Sequence, residues 1–185
     1  AAATVSIDPL GGLTVVIASA PAGQGHRTVC AQLAADVFGV DPDEVSVNTE
    51  FDTTKDAWSV AAGNYSSRFA GAVAGTLHIA CQRLRDKVAR IAAAQFACEP
   101  DQVIFAGGKV YPKDAPERGQ PFGRLAASPP WAPGLLPEGE PAGLRETAFW
   151  SPPQLTAPDE DDRVNTSAAY GFAFDICAVE VDRAT

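Results

Sequence analysis

Two short polar segments hold the residues best suited to chemistry, and each runs into an amphipathic stretch. The first, PAGQGHRT at residues 21–28, contains Gly23, Gln24, Gly25, His26 and Thr28. The second, AAGNYSSR at residues 61–68, contains Gly63, Asn64, Tyr65, Ser66, Ser67 and Arg68. Glycine beside a helix start allows a tight turn, and that alone accounts for a glycine pair. The other reading is a ligand site. The first turn of a helix leaves backbone N–H groups unpaired at the positive end of the helix dipole, so a bare backbone there lets an anion approach. Gln24 adds an amide, the serines add hydroxyls and Arg68 adds a cationic fork. Two such helix starts, if they converge, form a double anion clamp.

Other chemistries find little support. His26 and His78 are the only histidines, and neither has a carboxylate at ligand spacing, so no metal site is expected from this chain alone. His78 is expected to pack or cap, whereas His26, in the loop, is a candidate ligand contact. Cys30, Cys81, Cys98 and Cys177 form no C-x-x-C pair and read as reduced core thiols of a cytoplasmic protein. There is no G-x-S-x-G elbow, no phosphate-binding G-x-x-x-x-G-K-[ST] loop and no G-x-G-x-x-G fingerprint. The acidic groups of DPDE (41–44) and DEDD (159–162) read as solvated turns. A net charge of −9 argues against nucleic acid as a partner. No apolar run of about 18 residues is available to cross a membrane, and AAATVSIDPL is not an export signal.

The elements that must position these loops follow from periodicity. Runs at 3–8 and 13–19, joined by PLGG, predict a hairpin. From Arg27 to Phe38, Val29, Leu33 and Val37 recur every four residues beside Cys30 and Ala34, which predicts a helix with that face buried and Gly39 as its stop. A strand through Val45 and Val47 follows. Residues 48–68 form a polar segment too long for an ordinary connection. Val73, Leu77, Cys81, Leu84, Val88 and Ile91 then predict a long helix to Phe96, with Arg83, Arg85, Lys87 and Arg90 on a solvated face. Gly107 and Gly108 mark a hairpin between 103–105 and 109–111.

Eleven of the 15 prolines lie between Pro112 and Pro158, with Trp131 and Trp150. That density disfavours regular helix or central strand and predicts an extended arm packed on its own domain or on a partner. Residues 168–182 alternate as a closing strand with room for a bulge. The expected fold is α+β: a mixed sheet of short strands and hairpins, two main helices packed on it, and a proline-rich extended arm. The chain reads as one domain, with a core at 1–111, the arm at 112–167 and the closing strand at 168–185. It opens and closes on strand patterns and contains no methionine, which suggests a piece of something longer.

PAGQGHRTVCAQLAADVFGVDPDEVSVNTEFDTTKD followed by AGNYSSRFAGAV resembles the molybdenum-binding large subunit of the xanthine oxidase, aldehyde oxidase and carbon monoxide dehydrogenase family. There a G-Q-G-x-x-T segment, a helix with A-Q, a strand, a D-T-T and a G-S-R-S-like loop follow at similar spacing. The closing VNTSAAYGFAFDICAVEVDRAT resembles the family's F-G-x-x…V-E-V-D-x-x-T-G strand. The likeness covers most of the chain except the proline-rich arm.

The resemblance implies half of a molybdopterin cradle in a molybdenum hydroxylase that oxidises a carbon centre, of aldehyde or N-heterocycle type, with water as oxygen source. Gly23, Gln24 and Gly25 would face the pterin. Gly63, Asn64, Tyr65, Ser66, Ser67 and Arg68 would hold the pyrophosphate or nucleotide tail of a cytosine dinucleotide form. His26, Thr28 and Asp52–Thr54 are secondary candidates. It further implies 2Fe-2S clusters and FAD on partner subunits or domains, and a small-molecule substrate. Two departures stand out: Lys55 follows D-T-T where many relatives carry proline, and Ser66-Ser67-Arg68-Phe69 stands in place of G-S-R-S. The family's late G-x-G-E glutamate has no counterpart, so the chain alone is not expected to turn over substrate. Two other readings stay open: a non-catalytic binding or assembly module that grips partner subunits, and a small phosphate binder acting alone.

Overall fold

The computed structural model describes residues 1–50, 52, 54, 59, 63, 67–167, 171 and 173–184. Its main sheet grows from the β-branched run at the start of the chain. β1 (Ala2–Ile7) pairs antiparallel with β2 (Leu13–Ile17), register Ala3↔Ile17 to Ile7↔Leu13. The connecting turn is held by Asp8, whose Oδ1 accepts the N–H groups of Leu10 and Gly12 at 2.8 and 3.0 Å. β3 (Val45–Asn48) runs parallel to β2, which requires the intervening crossover supplied by α1 (His26–Phe38). β4 (Val103–Ala106) and β5 (Lys109–Pro112) form the second expected hairpin, with Gly107 and Gly108 at φ 58° and 72° in its turn. A short β6 (Gln120–Pro121) completes that small sheet.

α2 (Gly75–Phe96) buries Leu77, Cys81, Leu84, Val88 and Ile91, as its spacing predicts, and begins from a π-helical turn at Phe69–Ala74. It packs on β1 and α1, so the core lies between the main sheet and the two helices. α1 buries Cys30, Ala34 and Val37 as expected and departs from expectation at Val29. Val29 is 40% exposed, and the buried face runs through Cys30, Ala34, Val37 and Phe38. Small residues at Cys30 and Ala34 allow α1 to approach closely, whereas the larger Val29 is turned outward. Burial pushes the Cys30 and Cys81 thiols up to about 12, so both stay protonated. Cys177, expected in the core, is exposed.

The basic face of α2 is also corrected. Lys87 is buried, and its Nζ donates to the Gly143 carbonyl at 2.6 Å. Arg90 donates to both Glu140 carboxylate oxygens at 2.7 and 3.1 Å. These bonds tie the proline-rich segment to α2. That segment is more regular than its composition suggests, because structure occupies its proline-free windows. α3 (Phe122–Ala126) is one window. α4 (Ser128–Trp131) carries its prolines in the first turn, where a missing N–H costs nothing. β7 (Arg145–Phe149) lies between Pro141 and Pro152 and pairs antiparallel with β1 at the sheet edge, giving the order β3-β2-β1-β7. Trp150 then seats its ring against Gly75.

Among the described residues the closing strand is not formed. The described residues 171 and 173–184 carry no strand, and Phe174, Ile176, Val179 and Val181 are 84%, 82%, 80% and 75% exposed. Alternation equips a segment for a sheet but does not supply a neighbouring strand, and β7 and β3 already end the sheet here.

Candidate functional site

The glycine loop leaves β2 and turns into α1. Gly23 and Gly25 both take left-handed angles, φ 103° and 74°, which L side chains rarely adopt. A Cβ at either position would meet nothing within 4 Å, so the backbone conformation, not crowding, demands glycine. The Gly25 carbonyl accepts the Val29 N–H at 3.1 Å and starts the helix. No side chain caps this end of α1 and no acidic residue lies in its first turn. The positive end of the helix dipole therefore keeps its attraction for an anion. Gln24 is exposed, with its Oε1 accepting the Ala22 N–H at 2.6 Å, which folds the side chain along the loop. Thr28 is exposed in the first turn of α1, and neighbouring Arg27 donates from Nε to Thr49 Oγ1 at 3.3 Å.

His26, the first residue of α1, is only 3% exposed. Its ring lies flat on that of Phe69, with centroids 3.8 Å apart and planes 7° apart. Its Nδ1 lies 3.5 Å from Ser19 Oγ, and burial lowers its pKa below the usual imidazole value. Phe69 is the first residue of the π-helical turn that leads into α2. The two helical starts therefore meet through their first side chains.

Ser67 and Arg68 of the second polar segment directly precede Phe69. Gly63 and Ser67 are exposed, and Ser67 has φ 52°, an unusual backbone angle for a non-glycine residue. Arg68 donates from Nη2 to Ser59 Oγ at 2.7 Å, while its Nη1 is buried without a hydrogen-bond partner. Asn64, Tyr65 and Ser66 lie outside the described residues. In the D-T-T stretch, Asp52 Oδ1 accepts from the N–H and Oγ1 of Thr54 at 2.9 and 2.6 Å, and Thr53 lies outside the described residues. Phe69 and Ser59 were not singled out from sequence. Phe69 carried one available signal, since it is the aromatic residue where the G-S-R-S pattern leads one to expect serine.

Grooves also open along the helices. One of about 530 Å³ runs between α1 and α2, lined by Leu33, Asp36, His78, Gln82, Arg85 and Phe105. His78 is thus an exposed groove residue rather than a packed or capping one. Another, of about 300 Å³, flanks Arg27 and Thr28. Among the described residues no group of three or more His, Cys, Asp or Glu could hold a metal ion. No helix among them is long and apolar enough to cross a membrane.

The sequence profile of the family described as "Molybdopterin cofactor-binding domain" matches residues 1–185. The chain is 30% identical over 148 residues to the nicotine 6-hydroxylase large subunit of Paenarthrobacter nicotinovorans, covering 80% of this chain and 18% of that protein. It is 25% identical to the carbon monoxide dehydrogenase large chain of Hydrogenophaga pseudoflava, covering 98% of this chain and 20% of that one. The fold superimposes on quinoline 2-oxidoreductase from Pseudomonas putida 86 with a TM-score of 0.74 and 34% identity, covering 82% of this chain and 19% of that one. The chain thus spans about a fifth of the length of these relatives.

Proposed function

We propose, from the premise that this chain belongs to the molybdopterin cofactor-binding domain family, that it forms one jaw of the cofactor site in a molybdenum hydroxylase or dehydrogenase. The observation that carries the reading is Arg68. A buried guanidinium N–H group without an acceptor is costly, and Arg68 satisfies Nη2 on Ser59 while Nη1 has no partner. A phosphate oxygen of the cofactor tail is the acceptor such a group suits. The bare glycine loop and the uncapped, acid-free start of α1 fit the same ligand.

In this assignment Gly23, Gln24 and Gly25 face the pterin, with the Gln24 amide as the adaptable polar group. Gly63, Asn64, Tyr65, Ser66, Ser67 and Arg68 hold the pyrophosphate and nucleotide of a cytosine dinucleotide form. Thr28 is a secondary contact. When bound, the molybdenum cofactor supplies oxidation of a carbon centre with water as the oxygen source. This chain binds and orients; the carboxylate that moves the proton comes from another segment or subunit. The substrate is an aldehyde or an N-heterocycle, as relatives named for aldehydes, nicotine and quinoline support. The proposed partners are the rest of the molybdenum-binding large subunit and iron–sulfur and flavin components, in the cytoplasm. Exposed Phe174, Ile176, Val179 and Val181 support a partner that covers them.

The test is metal and pterin analysis of the purified complex. Molybdenum and a pterin are expected, and Gln24→Ala or Ser67→Ala should lower their retention. Full occupancy in the double variant would overturn the site assignment. A complex with no molybdenum would favour the second reading, an assembly module, which the same exposed apolar residues also support.

A further inference from the structure

We propose that His26 and Phe69 form a staple that sets the spacing between the two cofactor-holding segments, with His26 a positioning residue and not a ligand contact. The inference rests on the cofactor reading above for its purpose, but on the geometry of the chain itself for its existence. Among the described residues, few contacts hold residues 23–25. Gly23 and Gly25 carry no side chain and have open space beside them, and Gln24 folds onto the loop's own backbone. The position of the loop is therefore inherited from its ends, and His26 is the end that enters the core. Its ring is sandwiched against Phe69 at 3.8 Å, with Ser19 beside its Nδ1. A ring 3% exposed in this way has little surface left for a ligand.

On the other side of the stack, Phe69 directly follows Arg68, the residue with the unpartnered guanidinium nitrogen, and Ser67, the residue at φ 52°. Holding Phe69 thus holds the backbone from which both side chains project. The turn that begins at Phe69 is π-helical, a wider and less favourable form that persists where surrounding contacts fix it. One aromatic contact then couples residues 23–25 to residues 67–68. Preorganised donors act on an anion without the cost of being gathered when it arrives, which is the physical advantage of such a coupling.

The experiment uses the assembled complex and three variants. Phe69→Leu removes the ring but keeps an apolar side chain, Phe69→Tyr restores a ring, and His26→Phe keeps the stack while deleting the imidazole nitrogens. Phe69→Leu should lose molybdenum and pterin roughly three- to tenfold faster on desalting, the range expected for losing one aromatic pair, while Phe69→Tyr and His26→Phe stay near the parent. If His26→Phe loses cofactor as fast as Phe69→Leu, the imidazole acts as a ligand contact and the staple is overturned. Amide hydrogen exchange on cofactor-free protein gives an independent readout. Phe69→Leu should speed exchange across 21–28 without changing residues 77–93 of α2. Unchanged exchange at 21–28 also overturns the staple. Absence of molybdenum from the parent complex defeats the cofactor reading, and the exchange result then decides the staple by itself.

Discussion

The two ends of α1 are both closed by glycine in the left-handed conformation, Gly25 at φ 74° and Gly39 at φ 65°, yet their surroundings are opposite. A Cβ on Gly39 would lie 2.4 Å from the backbone carbon and oxygen of Phe105; a Cβ on Gly25 would meet nothing within 4 Å. At Gly39 the helix is pressed against the small sheet, with the Gly108 N–H donating to the Gly39 carbonyl at 2.7 Å. At Gly25 the chain turns in open space. Glycine at one end makes room for the protein itself, and at the other it leaves room for something else.

That contrast can be broken or sharpened by substitution. Gly39→Ala adds left-handed strain to an overlap with fixed backbone, so it should cost about 3 kcal/mol or more in urea unfolding. A loss below about 1 kcal/mol would show that the two ends do not differ. Gly75→Ala tests an intermediate case, since its Cβ would lie 2.7 Å from the Trp150 ring, a side chain able to shift. Crowding and the better helix propensity of alanine oppose one another there, and a net loss of about 2 kcal/mol is expected in the same assay. Gly25→Ala meets only backbone strain and should cost about 1 kcal/mol, while cofactor retention in the purified complex falls severalfold. Equal retention in Gly25→Ala and parent would place both glycines in the structural class.

The smallest effect is in pH. Burial lowers the His26 pKa below its ordinary 6.5, so the folded chain favours the neutral ring. Between the folded value and 6.5 the unfolded chain binds more protons, and stability therefore falls as pH drops through that window. Above 6.5 this histidine contributes no slope. The urea midpoint should fall less between pH 7.5 and pH 5.5 in His26→Phe than in the parent, and identical slopes would remove His26 from the account.

Much of the framework was legible in the chain. The hairpin at β1 and β2, the turn at Gly107 and Gly108 and the buried stripe of α2 each follow from periodicities that local geometry enforces. On α1 Cys30, Ala34 and Val37 are buried as their spacing predicts, but helical spacing names two neighbouring stripes and only the helix's partners select between them, which leaves Val29 outside and brings Phe38 in. Lys87 was placed in water because an isolated helix does not announce that a carbonyl at Gly143, 56 residues on, will receive its ammonium. Among the described residues the closing segment carries no strand for a related reason, since a strand is a property of a pair of segments.

For the site, residue types and order determined the chemistry. Two glycine-bearing polar segments, each leading into a helix, carry donors suited to an anion, and their ordered combination resembles that of the molybdenum hydroxylases. What the order of residues did not contain was the meeting of His26 with Phe69, or the stranded nitrogen of Arg68. Those depend on how α1 and α2 cross over the sheet. Conformational preference acts over a few neighbours and is written locally, but side chains 43 positions apart touch only when packing has brought their backbones together.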